Sequence, residues 1–151
     1  MKRAKDSMVI RGDAATYKAG HSIGEGGMEA TVPGMGPVTL PDDPQIDGVG
    51  STGEFPNEPV NVEGAGRIIV KSLYDASGSG GAEVRLKAYD YDGKLIGFTD
   101  VYVIENLGLQ DENGNYVGDL LVLANEMGAM SVSIQITKAP TGNISMYISN
   151  V

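Results

Sequence analysis

Strict alternation of apolar and polar residues in the C-terminal half constrains this chain more than any other feature. Val84, Leu86 and Ala88 alternate with Glu83, Arg85 and Lys87. Met130, Val132, Ile134 and Ile136 alternate with Ser131, Ser133, Gln135 and Thr137, and Ile144, Met146 and Ile148 with Ser145, Tyr147 and Ser149. Successive side chains on a strand point to opposite faces, so each segment buries one face and wets the other. Residues 67–74 are β-rich but less cleanly patterned. From Leu95 to Ile104 the run starts with Ile96 and Phe98 on one face, and its phase blurs at Thr99-Asp100, where a bulge is expected. Asp92-Gly93 reads as a hairpin turn, and Asn113-Gly114 and Thr141-Gly142-Asn143 as further reversals. One segment reads both ways. Asp119 to Gly128 fits a strand, yet Leu120, Leu123, Ala124 and Met127 fall at helical spacing, with Asp119 as N-cap and Gly128 past the end. Short antiparallel strands with regular turn signals predict an all-β fold, a small antiparallel β-sandwich or jelly-roll-like domain.

Charge divides the chain into zones. Residues 1–18 hold five basic and two acidic side chains; residues 19–66 hold eight acidic and none basic; residues 67–151 hold six basic and ten acidic. The middle zone also carries eleven of the 22 Gly and six of the seven Pro. Pro33, Pro37, Pro41, Pro44, Pro56 and Pro59 interrupt any strand ladder there, and no helical or strand period is sustained. Its scattered apolar residues are too few to offset the entropy of ordering it alone. The expected organisation is an extended N-terminal arm over 1–66, with a basic tip at 1–18 and an acidic Gly/Pro-rich stretch at 19–66, before a β-sandwich domain over 67–151. Such an arm is expected to order on a neighbouring surface, the alternative being a long loop lying over its own domain. Its expected anchors are Ile23, Met28, Val32, Met35, Val38, Leu40 and Phe55, with Lys2, Arg3 and Arg11 pinning the tip to an acidic patch.

Several chemistries are excluded or weakened. The chain has no Cys and a single His, so neither a disulfide framework nor a Cys/His zinc site is available. A net charge of −9 without a sustained basic stripe argues against nucleic acid. The longest apolar runs, such as Leu120 to Ala124, are too short to cross a bilayer, and no apolar stretch follows Lys2, Arg3 and Lys5 as a secretory signal would require. Gly20-His21-Ser22-Ile23-Gly24 matches the nucleophile-elbow pattern, but no strand precedes it, no helix follows, and the single His lies inside it. Arg11-Gly12-Asp13 reads as a turn, Gly78-Ser79-Gly80-Gly81 as a strand connection, and Asn143-Ile144-Ser145 as a glycosylation site only in a secreted protein. Asp90, Asp92, Asp111, Asn113 and Asp119 are weak calcium candidates in segments whose composition also suits tight turns. No cofactor and no enzymatic activity are expected.

A small β-sandwich behind a Gly/Pro-rich arm, without Cys and without a catalytic constellation, resembles the structural proteins of tailed-bacteriophage virions, most of all the capsid-decoration or cement type. The resemblance implies a protein made in the host cytoplasm, not secreted, and built into the virion. Its partner would be the major capsid protein or another virion protein, and it would be a homo-oligomer, without nucleic acid or membrane. A head–tail connector, tail or fibre-attachment component would look alike. Forty-eight extended residues reach roughly 160 Å, enough to cross several subunits. The alternative from the residues is a carbohydrate- or ligand-binding module with Tyr89, Tyr91, Tyr102, Tyr116 and Tyr147 as stacking candidates.

Overall fold

A computed structural model describes residues 7–10, 29–32, 36–78 and 80–151. Among these residues there is no helix. The strands are β1 (Ser7–Ile10), β2 (Glu29–Val32), β3 (Gly36–Thr39), β4 (Ile46–Val49), β5 (Gly53–Asn61), β6 (Arg67–Tyr74) and β7 (Ala82–Tyr89). They continue with β8 (Leu95–Phe98), β9 (Tyr102–Ile104), β10 (Asn106–Gln110), β11 (Tyr116–Gly118), β12 (Leu120–Ala124), β13 (Ser131–Lys138) and β14 (Ile144–Asn150). They form two antiparallel sheets of seven and five strands, and β2 pairs with β3 in a ribbon of their own.

The seven-stranded sheet is centred on β6. On one side β14 pairs along it from Ile144 opposite Tyr74 to Asn150 opposite Ile68, and β4 lies outside β14. On the other side β12 covers the first half of β6 and β11 its end, with β1 and β10 outside them. The five-stranded sheet runs β5, β13, β7, and the far side of β7 is shared by β8 and β9. The chain passes from sheet to sheet at β4–β5, β5–β6, β6–β7, β9–β10, β12–β13 and β13–β14. Within the two large sheets only β7–β8–β9 and β10–β11–β12 follow one another in the same sheet.

The three cleanly alternating segments form β7, β13 and β14, and their apolar faces make the core. Val84, Leu86 and Ala88, with Val132, Ile134 and Ile136, pack against Val70, Tyr74, Leu121, Leu123, Met146 and Ile148. Tyr74 also ties the sheets by hydrogen bonds. Its hydroxyl donates to the carbonyl of Ile104 and accepts the amide of Ala82 at 3.2 Å. Burial pushes the phenol up to about 12; the Ala82 amide opposes that rise and the nearby Asp119 charge adds to it. Tyr74→Phe would strand the Ala82 amide in the interior and leave the Ile104 carbonyl only its 3.3 Å bond from the Gly81 amide. We expect it to lower stability by about 1–3 kcal/mol, read as a lower urea midpoint with an unchanged m value.

The structure decides one open reading, explains one blurred pattern and departs from the sequence expectations at two further places, each for a physical reason. The ambiguous segment Asp119 to Gly128 contains strand β12 followed by a turn at Asn125–Gly128. Leu121 and Leu123 face the core opposite Val70 and Ile68, while Leu120 and Val122 are buried on the other face, so the helical spacing is a by-product of two apolar faces. Residues 67–74 lack alternation for the same reason: Ile69, Lys71 and Leu73 are as buried on the outer face as Ile68, Val70 and Tyr74 are on the inner one. The boundary expected at residue 66 cuts through the sandwich. β4 and β5 belong to its two sheets, and Leu40, Ile46 and Val62 are buried. These strands escaped notice because they are sheet edges, where β5 tolerates Pro56 and Pro59. Finally, the irregularity of the Leu95–Ile104 run begins earlier than expected. The register shifts between Ala88 and Tyr89, opposite Gly97 and Leu95, and residues 99–101 separate β8 from β9.

Candidate functional site

A groove of about 330 Å³ opens on the outer side of the seven-stranded sheet, where β4, β6 and β14 run side by side. Asp47 and Gly48 come from β4, Leu73 from β6, and Ser145 and Tyr147 from β14; Asp75, Asn115 and Asn143 close the loop end. Strand register explains the convergence, since Ser145 lies opposite Leu73 and Tyr147 opposite Lys71 on the outward face. Much of the polar wall is already bonded to itself. The Asp75 carboxylate accepts the Ser77 hydroxyl at 2.8 Å, the Ser77 amide at 3.1 Å and the Asn143 side-chain amide at 3.0 Å. The Ser77 hydroxyl above all holds that carboxyl below the usual range; burial opposes it, and the Asn143 contacts and the Ser77 amide add to the lowering. Ser145 accepts the Gly48 amide at 2.9 Å and donates to Asp47 at 3.4 Å. The arrangement offers acceptors and hydroxyls to a small polar or hydroxylated group.

Lys71 lies beside this groove and is fully buried. Burial drags its ammonium down to about 7, and the Asp111 carboxylate partly offsets that shift. Burial raises the Tyr147 phenol, and the charges of Asp47, Asp111 and Asp43 raise it further. A lysine that titrates near neutrality inside an apolar sheet face was legible as one cation within the run Arg67 to Tyr74. Alternation gave no hint that it would be buried.

The calcium candidates are distributed over separate turns, and these turns share one construction. In Asp75–Gly78, Asp90–Gly93, Asp111–Gly114 and Asn125–Gly128 the glycine amide donates to the carbonyl of the first residue, at 2.8, 3.0, 3.2 and 3.2 Å. The first side chain accepts amides further along its own turn. Asp90 holds the amides of Asp92 and Lys94, Asp111 those of Asn113 and Asn115, all at 2.9 Å, and Asn125 that of Ala129 at 2.8 Å. Asp90 and Asp92 close the β7–β8 turn of the five-stranded sheet, whereas Asp111 and Asn113 close the β10–β11 turn of the other; Asp119 is buried between β11 and β12. Among the described residues no three acidic or His side chains are grouped to hold a metal ion.

The five tyrosines do not share a surface. Tyr89 does point outward, opposite to Val84, Leu86 and Ala88 as expected. There it donates to Glu54, which also accepts Ser133 at 2.8 Å and pairs with Lys87 at 2.6 Å. Burial alone would raise the Glu54 carboxyl; the bonds from Lys87, Tyr89 and Ser133 outweigh it and hold the group low. Tyr91 sits in the β7–β8 turn and donates to Glu63, Tyr102 and Tyr116 pack against the core, and Tyr147 is on the opposite side of the sandwich. Of the expected arm anchors, Leu40 is buried and Phe55 packs on the core of its own domain. Val32 and Val38 fall in β2 and β3. Ile23, Met28, Met35, Lys2, Arg3 and Arg11, like Arg11-Gly12-Asp13 and Gly20–Gly24, lie outside the described residues.

No protein-family model, curated protein or solved structure matches the chain. A second surface lies on the five-stranded sheet. Among the described residues the exposed large apolar side chains are Tyr91, Leu95, Ile96, Phe98, Val103, Met127 and Val151. All but Val151 are on β8, β9 or the turns that touch them, since the Met127 sulfur fills the place a Cβ on Gly97 would take. Arg85 stacks its guanidinium 4.0 Å from the centre of the Phe98 ring, extending this edge onto the outer face.

Proposed function

We propose that this protein is a non-enzymatic structural component of a virus particle, of the capsid-decoration type, which binds an assembled lattice through its N-terminal arm. The observation that carries the reading is β1. Residues Ser7–Ile10 lie far upstream of the sandwich in sequence, yet they pair in register with Leu123–Leu120 of the same chain as an added edge strand, so this sheet edge accepts a terminal segment and, on the proposed reading, exchanges it with a neighbouring chain in the particle. Strand addition by a terminal segment is a recurrent way for one chain to fasten to another, because backbone bonds supply affinity without a preformed pocket. The wiring supports the same reading. β4–β14–β6–β11/β12 in one sheet and β5–β13–β7–β8/β9 in the other is the strand order of a jelly roll, an architecture shared by capsid and lectin domains. Architecture alone does not settle function, so the arm bears the weight of the argument.

Two experiments test it. In the isolated chain at low concentration, the amides of residues 7–39 should exchange at least an order of magnitude faster than those of β7 and β13. On empty tailed-phage shells lacking the protein, the full chain should co-sediment and a chain without residues 1–39 should not. Protection of residues 7–39 equal to that of β13, with no shell binding, would overturn the proposal. It would bring forward the second reading, a ligand-binding module using the groove formed by Asp47, Asn143, Ser145 and Tyr147.

A further inference from the structure

We infer that the β8–β9 edge is a self-association surface through which two copies of this chain join their five-stranded sheets. Three observations converge on it. First, the apolar side chains exposed among the described residues are concentrated there, with Leu95, Ile96, Phe98 and Val103 each 44–47% exposed and Met127 and Tyr91 flanking them. Clustered exposed apolar groups on one rim mark an interaction site, whereas scattered ones do not. Second, among the described residues no strand pairs with the far side of β8. The Thr99 amide donates to Leu86, so alternation of the ladder leaves the Phe98 N–H and C=O on the open side. The opposite edge of the same sheet, β5, is blunted by Pro56 and Pro59 and by Glu54 and Glu58.

Third, the β8 sequence is complementary to itself. An antiparallel pairing about a two-fold axis at Gly97 would set Ile96 opposite Phe98 and Lys94 opposite Asp100 of the second copy, with the irregularity at Ile96, the extra residue opposite Ala88 and Tyr89, taken up in the new ladder. The Lys94 ammonium makes no ion pair among the described residues, and Asp100, half-buried just past the end of β8, makes none either. A two-fold contact of this kind pairs each patch with its own copy. Because each chain carries a net charge of −9, long-range repulsion opposes the contact, and added salt strengthens it. The inference does not depend on the particle.

Sedimentation velocity of the full chain, from low micromolar to near-millimolar concentration and at low and high salt, tests it. We expect a monomer–dimer equilibrium that tightens with salt. Ile96→Lys, on an exposed position, should abolish the dimer while leaving the circular dichroism spectrum unchanged. Lys94→Asp and Asp100→Lys should each weaken dimerisation on the order of ten-fold, and the double exchange should restore it. A wild-type chain that stays monomeric throughout would overturn the inference. So would a dimer indifferent to Ile96→Lys, or one that the double exchange fails to rescue.

Discussion

Replacing Lys71 with methionine is expected to make the protein more stable at neutral pH and to remove most of its pH dependence between about pH 7 and pH 9.5. The ammonium titrates near 7 in the fold against an ordinary 10.5, because burial removes its hydration and Asp111 returns only part of the loss. Between those values the unfolded chain binds more protons than the folded one, so stability rises with pH across the window. Below it, the full cost of the buried charge is present. At about 1.36 kcal/mol per pKa unit, the change from pH 7 to 9.5 is on the order of 3 kcal/mol. Above about pH 10 the sign reverses. Tyr74 and Tyr147 are raised by burial, so the folded chain then holds protons that the unfolded chain has lost. The wild-type profile should therefore crest near pH 9–10. Methionine matches the length of the lysine stem between Ile69 and Leu73 and carries no charge to bury. Urea midpoints measured from pH 6.5 to 9.5 check this, and a K71M profile as steep as the wild type would sink the assignment.

Gly142→Ala should be, with Gly80→Ala, among the most damaging single methyl groups in the connections between strands. Gly142 has φ +78°, a conformation that costs an L-residue roughly 1–2 kcal/mol. A Cβ there would also lie 2.8 Å from the Gly78 Cα and 2.9 Å from the Gly78 nitrogen, and backbone cannot swing aside as a side chain can. The combined loss is on the order of 3 kcal/mol, a fall of roughly 10 °C in Tm for a domain of this size. Gly93 supplies the control, since its φ is +75° and nothing lies within 4 Å of its would-be Cβ. Gly93→Ala should cost only the backbone part. Equal losses at the two positions would show that the approach of the Thr141–Asn143 turn to Gly78 is not tight.

Legibility in the sequence followed the solvent. β7, β13 and β14 each have one wet face or a mixed one, and their alternation placed them correctly. β6 and β12 are buried on both faces, which erases the period that pattern reading relies on. β4 and β5 failed for the opposite reason. They are edges, partly wet, acidic and broken by prolines, so the charge zoning assigned them to an arm. The paired Asp-Gly and Asn-Gly turns were visible as turns, and the recurring spacing of an Asp or Asn three residues before a Gly was the available signal for their common construction. The groove had none. Leu73, Asn115, Ser145 and Asp47 are remote in sequence and meet only through the register of β14 with β6 and β4. The apolar edge was half visible, as Ile96 and Phe98 on one face, but a strand written in sequence does not say which of its sides stays unpaired.

The prolines of β5 carry a consequence for how far any assembly through this sheet can extend. A sheet with two receptive sides lengthens without limit as copies add head to tail, and the product is a fibre. Here one side refuses further strands. Two chains that meet at β8 present Pro56 and Pro59 at both outer margins, so the joined sheet ends where it began. Through that contact growth would stop at two, and a sandwich with so much apolar surface on one rim would remain a discrete, countable building block.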